Sequence, residues 1–159
     1  MRRRIFLAGA AISAAAPLVP KARAAEALLA QKFADALNAH DIDAFAALFA
    51  DSYVNHQKSA AAAPPAGLTP KAATVSFFAA RLKAMPDLRV TIETTVAEDD
   101  RVAASFRYEG THEAAYYGIE PTHKKFWFTS CDIFRVADGR IVEHWGMGDI
   151  AGIIAQLKG

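Results

Sequence analysis

The strongest constraint on the fold is a stretch of regular alternation, Lys124–Asp149. Alternation with a period of two puts one parity of residues on each face of a sheet. In its first half one parity is apolar, with the residues Phe126, Phe128 and Phe134. Asp138-Gly139 is typical of a hairpin turn, and Ile141–Met147 supplies the return strand. The stretch therefore predicts a long β-hairpin with one buried face.

Two polar residues, Ser130 and Asp132, interrupt the apolar parity. A carboxylate among phenylalanines is costly to bury unless a partner satisfies it. A three-residue turn at 137–139 places Asp132 opposite His144, whereas a two-residue turn places it opposite Trp145. We predict the three-residue turn and the Asp132–His144 pairing.

Helical spacing of apolar residues predicts three helices before the strands. They are Ala25–His40, a second helix that follows the cap Asp41 and ends at Asp51-Ser52, and a third that follows the cap Thr69 and starts at Pro70. The third helix is expected to turn Val75, Phe78, Ala79 and Leu82 inward. Tyr53–Gln57 is predicted to be extended, and Lys58–Leu68, which has no periodicity, to be a mobile loop or flap.

From Leu88 the period becomes two again. Two strands are predicted around a turn at Asp99-Asp100, and the second strand points Tyr108 and His112 inward. Asp149–Leu157 is predicted to be a short closing helix. Helices followed by an antiparallel meander indicate an α+β domain, with the helices packed on one face of a curved sheet that encloses a pocket.

The N-terminus has the pattern of an export signal. Residues 1–24 have a basic start, an apolar run and a small-residue ending, which predicts a signal peptide cleaved after Ala24. Arg3-Arg4 followed by Phe6-Leu7 resembles a twin-arginine signal, so the partner would be the twin-arginine export machinery and the location the periplasm or the exterior. An uncleaved membrane anchor is the alternative. Residues 25–159 would form one domain.

The charge content excludes one class of function, and the cysteine content excludes an intrachain disulfide. Removal of residues 1–24 leaves 13 basic and 17 acidic residues, a net charge of about −4. A nucleic-acid-binding protein would need a basic face, so no nucleic-acid partner is expected. The single Cys131 cannot form an intrachain disulfide, and we predict a small buried apolar role for it.

Several short motifs follow one another along the chain. They are Tyr53-Val54-Asn55-His56-Gln57, Met85-Pro86-Asp87-Leu88, Gly110-Thr111-His112, Gly118-Ile119-Glu120-Pro121-Thr122, Asp132-Ile133-Phe134-Arg135, Asp138-Gly139-Arg140-Ile141, Glu143-His144-Trp145 and Asp149. In this order the chain resembles the SnoaL-like polyketide cyclase (ester cyclase) family. The resemblance implies a nuclear transport factor 2-like cone around a pocket, a homodimer, and acid/base chemistry without metal or cofactor.

The resemblance also exposes a missing group. The cyclases use an aspartate two residues after the histidine that corresponds to His144, and this chain has Gly146 there. Ring closure of a polyketide is therefore not implied by the resemblance alone. If the protein is an enzyme, Asp132 or a histidine must replace the missing carboxylate.

The candidate site residues follow from these patterns. Asp132 and His144 are predicted to be catalytic, as an acid/base pair acting on a small apolar carbonyl compound. The predicted substrate-binding residues are His56, His112, Tyr108, Phe128, Trp145 and Asp149, of which Asp149 is alternatively a helix cap. A non-catalytic protein that binds a small hydrophobic ligand in the same pocket is the alternative function. No HxH or HExxH spacing is present, so no metal ligands are assigned.

Overall fold

The computed structural model describes residues 21–57 and 66–159. Residues 1–20, which hold most of the predicted signal peptide, and residues 58–65 of the predicted loop lie outside the described residues. The elements in chain order are α1 (Lys21–Asn38), α2 (Ile42–Ala47), β1 (Phe49–Asn55), α3 (Pro70–Ala84), β2 (Arg89–Glu98), β3 (Arg101–Thr111), β4 (Lys125–Ala137), β5 (Arg140–Gly148) and α4 (Ile150–Lys158).

The five strands form one curved, unclosed sheet in the order β1-β5-β4-β3-β2. Neighbouring strands are antiparallel except for β1, which runs parallel to β5. The helix α1 lies across the inner face of the sheet, where the ring of Phe33 packs 5.2 Å from that of Phe106 and 5.3 Å from that of Phe134. The predicted α+β architecture is thus confirmed.

The second helix is shorter than predicted, and a fifth strand takes its place. Helix α2 ends at Ala47, and β1 begins at Phe49 instead of at a short extended piece from Tyr53. The backbone of this segment bonds to the open edge of β5, with Ile141 N donating to Leu48 O and His56 N donating to His144 O, both at 2.8 Å. Long-range backbone pairing has overridden the local helical spacing.

The hairpin register differs from both alternatives predicted from the sequence. Ala137 pairs with Arg140, so the turn has two residues, and Asp138 and Gly139 both have positive φ, at 50° and 70°. A bulge then shifts the register between the pairs of Arg135 and Val136. Asp132 therefore lies opposite Gly146, and His144 lies opposite Phe134.

The predicted inner face of the sheet is confirmed, with a correction on helix α3. The even-numbered residues Val102, Ala104, Phe106, Tyr108, Phe126, Phe128, Asp132 and Phe134 are buried. On α3 the buried residues are Thr74, Phe78, Arg81 and Ala84, whereas Ala79 is exposed. Cys131 is also exposed, because the odd parity of β4 faces outward.

Helix α4 covers the part of β4 that extends beyond the end of β5. The side chain of Gln156 bonds to both the N–H and the C=O of Trp127, and Asp149 N donates to Thr129 O at 3.0 Å. This contact satisfies an otherwise open strand edge. In the part of the chain that the structure describes, no helix is both long and apolar enough to cross a membrane.

Candidate active site

Asp132 and His144 form a buried hydrogen-bonded pair on the inner face of the sheet. His144 Nε2 lies 2.8 Å from Asp132 Oδ1. The second carboxylate oxygen, Oδ2, accepts a hydrogen bond from Ser130 Oγ at 2.5 Å. Strand β4 supplies the carboxylate and serine, and strand β5 supplies the imidazole. The predicted proximity of Asp132 and His144 is thus present, although their strand register is not the predicted one.

The pair is the end of a longer chain of hydrogen bonds that begins on α3 and β1. Asn55 Nδ2 donates to Thr74 Oγ1 at 3.3 Å, and Thr74 Oγ1 donates to the Tyr53 hydroxyl at 3.4 Å. The Tyr53 hydroxyl lies 3.3 Å from His144 Nδ1. We call Tyr53, Thr74, Ser130, Asp132 and His144 the acid/base cluster.

One assignment of protons satisfies every contact in the acid/base cluster. An ionised Asp132 accepts from both Ser130 and the Nε2–H of His144, which leaves Nδ1 as the acceptor for the Tyr53 hydroxyl. Burial raises the pKa of Tyr53 to about 12, partly offset by the Thr74 hydrogen bond and increased by the charge of Asp132, so its hydroxyl remains a donor at neutral pH. All donors are therefore oriented toward Asp132.

The Asp132–His144 pair keeps a small accessible surface within the fold. The side chains of His144 and Asp132 are 8% and 9% exposed, whereas Val102 and Phe106 of the same inner face are not exposed at all. The pair is therefore not completely enclosed by the inner face.

Gly146 has no side chain, and the Asp132–His144 pair occupies the space that a side chain there would fill. A Cβ atom at Gly146 would lie closer than 3.0 Å to Asp132 Oδ1 and to His144 Nε2. Two residues further along β5, a Cβ at Gly148 would meet only Ser130 Cβ, at 4.0 Å. The absence of a side chain at 146 is thus what allows the carboxylate from β4 to reach His144.

A second buried group, Arg81, lies among aromatic rings further along α3. Its guanidinium carbon is 4.6 to 5.0 Å from four ring centroids, those of Phe77, Phe78, Tyr108 and Phe128. Its Nε donates to the Tyr116 hydroxyl at 2.9 Å. We call Arg81, Tyr108, Tyr116, Tyr117 and Phe128 the cationic cluster.

Tyr108 and Phe128, both predicted to bind substrate, connect the two clusters. They are cross-strand neighbours whose rings stack at 4.9 Å with an interplanar angle of 3°. Burial, and then the charge of Asp132, raise the pKa of Tyr108, while Arg81 and Ser130 act in the opposite direction. The pKa of Tyr108 is thus affected by the charges of both Asp132 and Arg81. The predicted role of Tyr108 and Phe128 in substrate binding remains a prediction.

His112 is fully buried at the end of β3 and is separate from the Asp132–His144 pair. Its Nδ1 accepts from Thr122 N at 3.2 Å, and its ring packs edge-on against Phe126. Its Nε2 has no hydrogen-bond partner among the described residues. Burial lowers the pKa of His112, so the neutral ring is favoured.

Three further predicted site residues lie away from the pair. His56 stacks on Trp145 on the outer side of the sheet, with ring centroids 4.4 Å apart, and His56 Nε2 bonds to Glu143 Oε2 at 2.7 Å. Asp149 accepts from Gly152 N at 2.8 Å and so caps α4, as its alternative role predicted. The structure does not bring these residues together with Asp132.

Sequence reasoning did not assign Tyr53, Thr74, Ser130 or Arg81 to the site. Ser130 shares the inward parity of Asp132, which was the available signal. Thr74, Phe78 and Arg81 follow helical spacing, but a single arginine on an amphipathic helix is usually solvated. Among residues 21–57 and 66–159, no three His, Cys, Asp or Glu side chains are placed to hold a metal ion.

Comparisons with known proteins agree with this geometry. The family described as SnoaL-like polyketide cyclase matches residues 27–157. No curated protein matches the chain.

Among solved structures, the chain is similar to IdmH from Streptomyces antibioticus, a candidate polyketide cyclase, with 28% identity over 84% of this chain and 99% of that one and a TM-score of 0.72. It is also similar in fold to AclR from Streptomyces galilaeus, a candidate hydroxylase, with 24% identity over 86% and 82% of the two chains and a TM-score of 0.75. A candidate SnoaL-like polyketide cyclase from a Jannaschia species has 17% identity over 91% and 99%, with a TM-score of 0.75. These likenesses confirm the predicted nuclear transport factor 2-like fold.

Proposed function

The chain belongs to the SnoaL-like polyketide cyclase family, and we propose that it carries out cofactor-free acid/base chemistry on a small, mostly apolar carbonyl compound. The observation that carries this proposal is the buried Asp132–His144 hydrogen bond of 2.8 Å. It supplies a carboxylate on the inner face at the place where Gly146 has no side chain. Asp132 would thereby replace the carboxylate that the family's cyclases carry two residues after their histidine.

The chemistry assigned to the pair is proton transfer at carbon next to a carbonyl group. Asp132 takes a proton from that carbon, and the electron pair of the broken C–H bond forms an enolate. In an intramolecular aldol reaction the enolate carbon attacks a second carbonyl, and the protonated Asp132 returns its proton to the resulting alkoxide. The net reaction moves one proton and forms one C–C bond, so it needs neither oxidant nor cofactor.

His144 acts through Asp132 and is assigned as a positioning residue. Its two ring nitrogens are both occupied, by Asp132 and by the Tyr53 hydroxyl, so neither is free to reach substrate in this arrangement. The Nε2–H donates to Asp132 Oδ1 and so orients the carboxyl group that acts as the general base. Ser130 holds the second carboxylate oxygen in place.

The experiment replaces Asp132 by Asn and follows proton exchange at carbon. The protein is incubated in D₂O with 1,3-diketones and linear keto esters, and NMR measures deuterium incorporation and ring closure. Asp132→Asn keeps the size of the side chain but removes the base, so we expect the rate to fall by about 100-fold or more. Asp41→Asn, which removes the same charge from the exposed cap of α2, is the matched control and should retain the rate. Equal rates for the wild type and Asp132→Asn would exclude Asp132 as the base.

A non-catalytic ligand-binding role is the second candidate. It is favoured by one observation, that both carboxylate oxygens of Asp132 and both ring nitrogens of His144 already have partners within the protein. A binder would purify with a small hydrophobic molecule and would exchange no proton of any carbonyl compound. Native mass spectrometry of the purified protein that shows no bound small molecule would contradict this second role.

We also propose export through the twin-arginine route, on the pattern of residues 1–24 alone. A signal peptide cleaved after Ala24 would place residues 25–159 in the periplasm or outside the cell. The test is fractionation of cells that express the full chain, followed by N-terminal sequencing. Replacing Arg3-Arg4 by two lysines should retain the protein in the cytoplasm, and export unaffected by this change would rule out the twin-arginine route.

We further propose a homodimer formed through the outer face of the sheet. Large apolar side chains are exposed there, with Trp127 at 47%, Ile133 at 38% and Met147 at 78%. Exposed apolar groups of this kind are common at protein contacts. Light scattering after size-exclusion chromatography should give twice the mass of one chain, and Met147→Glu should shift the protein toward the monomer. A monomeric wild type at tens of micromolar would contradict the proposal.

A further inference from the structure

Arg81 is a buried cation without an anionic partner among the described residues. It is 6% exposed, and no described carboxylate lies within the 4.0 Å of its guanidinium that defines an ion pair. A buried charge is stable only when other groups compensate it. Asp132, the buried carboxylate of the same inner face, is paired with His144. The aromatic rings around Arg81 provide part of the compensation through cation–π contacts.

The hydrogen-bonding capacity of Arg81 exceeds what its neighbours accept. A guanidinium has five N–H donors. The Tyr116 hydroxyl accepts from Nε at 2.9 Å. One hydroxyl acceptor leaves donors over, and these match the planar, two-oxygen geometry of a carboxylate.

The tyrosines do not supply the missing negative charge. Burial is the main cause that raises the pKa of Tyr108 and of Tyr117 above the ordinary tyrosine value. Both hydroxyls are therefore neutral at physiological pH. The positive charge of Arg81 remains available to an anionic group that enters from outside the protein.

The position of Arg81 on α3 connects it to the acid/base cluster. Thr74, which contacts the Tyr53 hydroxyl, and Arg81 are both buried on the same helix. Seven residues separate them, which is about 10 Å along a helix axis. A ligand of about that length that contacts Arg81 at one end extends toward Thr74 and the acid/base cluster at the other.

We propose that Arg81 binds the carboxylate of a flat, conjugated ligand, so that the substrate class is a carbonyl compound that also carries a carboxylate. The assignment of the reacting end of this ligand to Asp132 rests on the proposed function, whereas the binding of the carboxylate by Arg81 does not. The carboxylate forms two parallel hydrogen bonds with the guanidinium. The carbon skeleton packs against the half-buried rings of Phe77 and Tyr117 at the edge of the cationic cluster.

The test compares two probes of the same shape that differ in charge, 2-naphthoate and 2-naphthamide, by isothermal titration calorimetry at pH 7. We expect the wild type to bind naphthoate at least about tenfold more tightly, because a charge-assisted pair replaces a neutral contact. Arg81→Met should lower this ratio to about one, and Arg81→Lys, which keeps the charge but loses the planar fork, should give an intermediate ratio. Asp132→Asn should keep the preference for naphthoate.

Each outcome decides the proposal. Equal affinity of the wild type for the two probes, no binding of either, or an unchanged preference in Arg81→Met overturns it. If Arg81→Met does not fold, the comparison in the wild type and the intermediate ratio in Arg81→Lys decide instead. A preference for naphthoate, combined with a proton-exchange rate that Asp132→Asn leaves unchanged, would refute the proposed function but not the carboxylate site. Equal affinity for the two probes, combined with a proton-exchange rate that Asp132→Asn lowers, would refute the carboxylate site but not the proposed function.

Discussion

The two buried clusters of the inner face hold their charges in different ways. In the acid/base cluster, Asp132 accepts hydrogen bonds from Ser130 and His144, and the imidazole of His144 in turn contacts the Tyr53 hydroxyl. In the cationic cluster, Arg81 has one short hydrogen bond to a neutral hydroxyl and otherwise faces aromatic rings. The first arrangement is complete within the protein, while the second has unused donors. The charge of Asp132 is therefore compensated within the protein, whereas that of Arg81 is compensated only in part.

The largest expected effect comes from breaking the complete cluster. His144→Leu removes the donor to Asp132 Oδ1 and the acceptor of the Tyr53 hydroxyl. We expect the free energy of unfolding to fall by about 3 kcal/mol, because one partner of a buried pair is left uncompensated. Urea denaturation measures the change.

The control is the double variant in which Asp132 and His144 are both replaced by leucine. Replacing both partners of a buried pair with apolar groups is often nearly neutral, so the double variant should recover most of the lost stability. A double variant that is less stable than His144→Leu would show that the pair does not act as a unit.

A matched pair of glycine substitutions separates the acid/base cluster from the rest of β5. Gly146→Ala places a methyl group closer than 3.0 Å to Asp132 and His144, whereas Gly148→Ala meets only Ser130 Cβ at 4.0 Å. We expect Gly146→Ala to lower the free energy of unfolding by about 2 kcal/mol, as overpacking does, and Gly148→Ala to change it little. Proton exchange should be lost only in Gly146→Ala. Equal effects of the two substitutions would contradict the close fit at Gly146.

Removal of the Tyr53 hydroxyl should have a smaller effect. Tyr53→Phe deletes one neutral hydrogen bond to His144 Nδ1 and one from Thr74, and we expect the free energy of unfolding to fall by about 1 kcal/mol. The same substitution in a His144→Leu background should cost less, because the acceptor of the hydroxyl is already absent. Identical costs in the two backgrounds, measured by denaturation, would show that Tyr53 and His144 are not coupled.

The inner face and its carboxylate follow from the sequence, but the register does not. Period two across β3 and β4 places Tyr108, Phe128 and Asp132 on one buried face, since side chains alternate whatever the neighbouring strand does. The bulge near Val142 leaves no mark in the sequence pattern and shifts every later pair on β5. His144 still reaches Asp132, because it lies opposite Phe134, two residues from Asp132 on the same face of β4, and the two side chains meet diagonally.

The positions of Tyr53 and Arg81 in the two clusters depend on contacts between segments that are distant in the sequence. Tyr53 enters the site because β1 pairs in parallel with β5, and Tyr53 and His144 are separated by 91 positions. Arg81 is buried because rings from α3, β3 and β4 surround it. Neither arrangement has a local signal, since helical and strand periodicity report only on the nearest turns of the same element.

Replacing Arg81 tests a buried charge that has no ion-pair partner among the described residues, in contrast to the paired His144. Arg81→Met removes a buried charge that has no ion-pair partner among the described residues and keeps a long apolar side chain. The variant loses the cation–π contacts but no longer has to bury a charge, and these two contributions to stability oppose each other. We therefore expect the free energy of unfolding to stay within about 1 kcal/mol of the wild type. A loss as large as that of His144→Leu, measured under the same conditions, would show that Arg81 serves mainly to hold α3 on the sheet.

The smallest expected effect is a pH dependence of stability that arises from His112, outside both clusters. Burial lowers the pKa of this ring, with opposing effects from Ala114 and Glu113 and a further lowering by His123. The folded protein therefore binds the proton less readily than the unfolded chain, whose histidines titrate near about 6.5. The contribution of His112 is complete above that pH and is lost as the pH falls below it.

Urea denaturation at about pH 7.5 and pH 5.5 measures this slope, which for one proton cannot exceed about 1.4 kcal/mol per pH unit. Among the described residues, three carboxyl groups have pKa values held below their ordinary 3.8 or 4.5. The chief cause is the Lys71 hydrogen bond for Asp51, the Thr111 N–H for Asp87 and the His56 hydrogen bond for Glu143. Their stabilising contributions are lost only at pH values below those, outside the window. His112→Gln should lower stability at both pH values and reduce the difference between them. A difference that His112→Gln leaves unchanged would assign the pH dependence to another group.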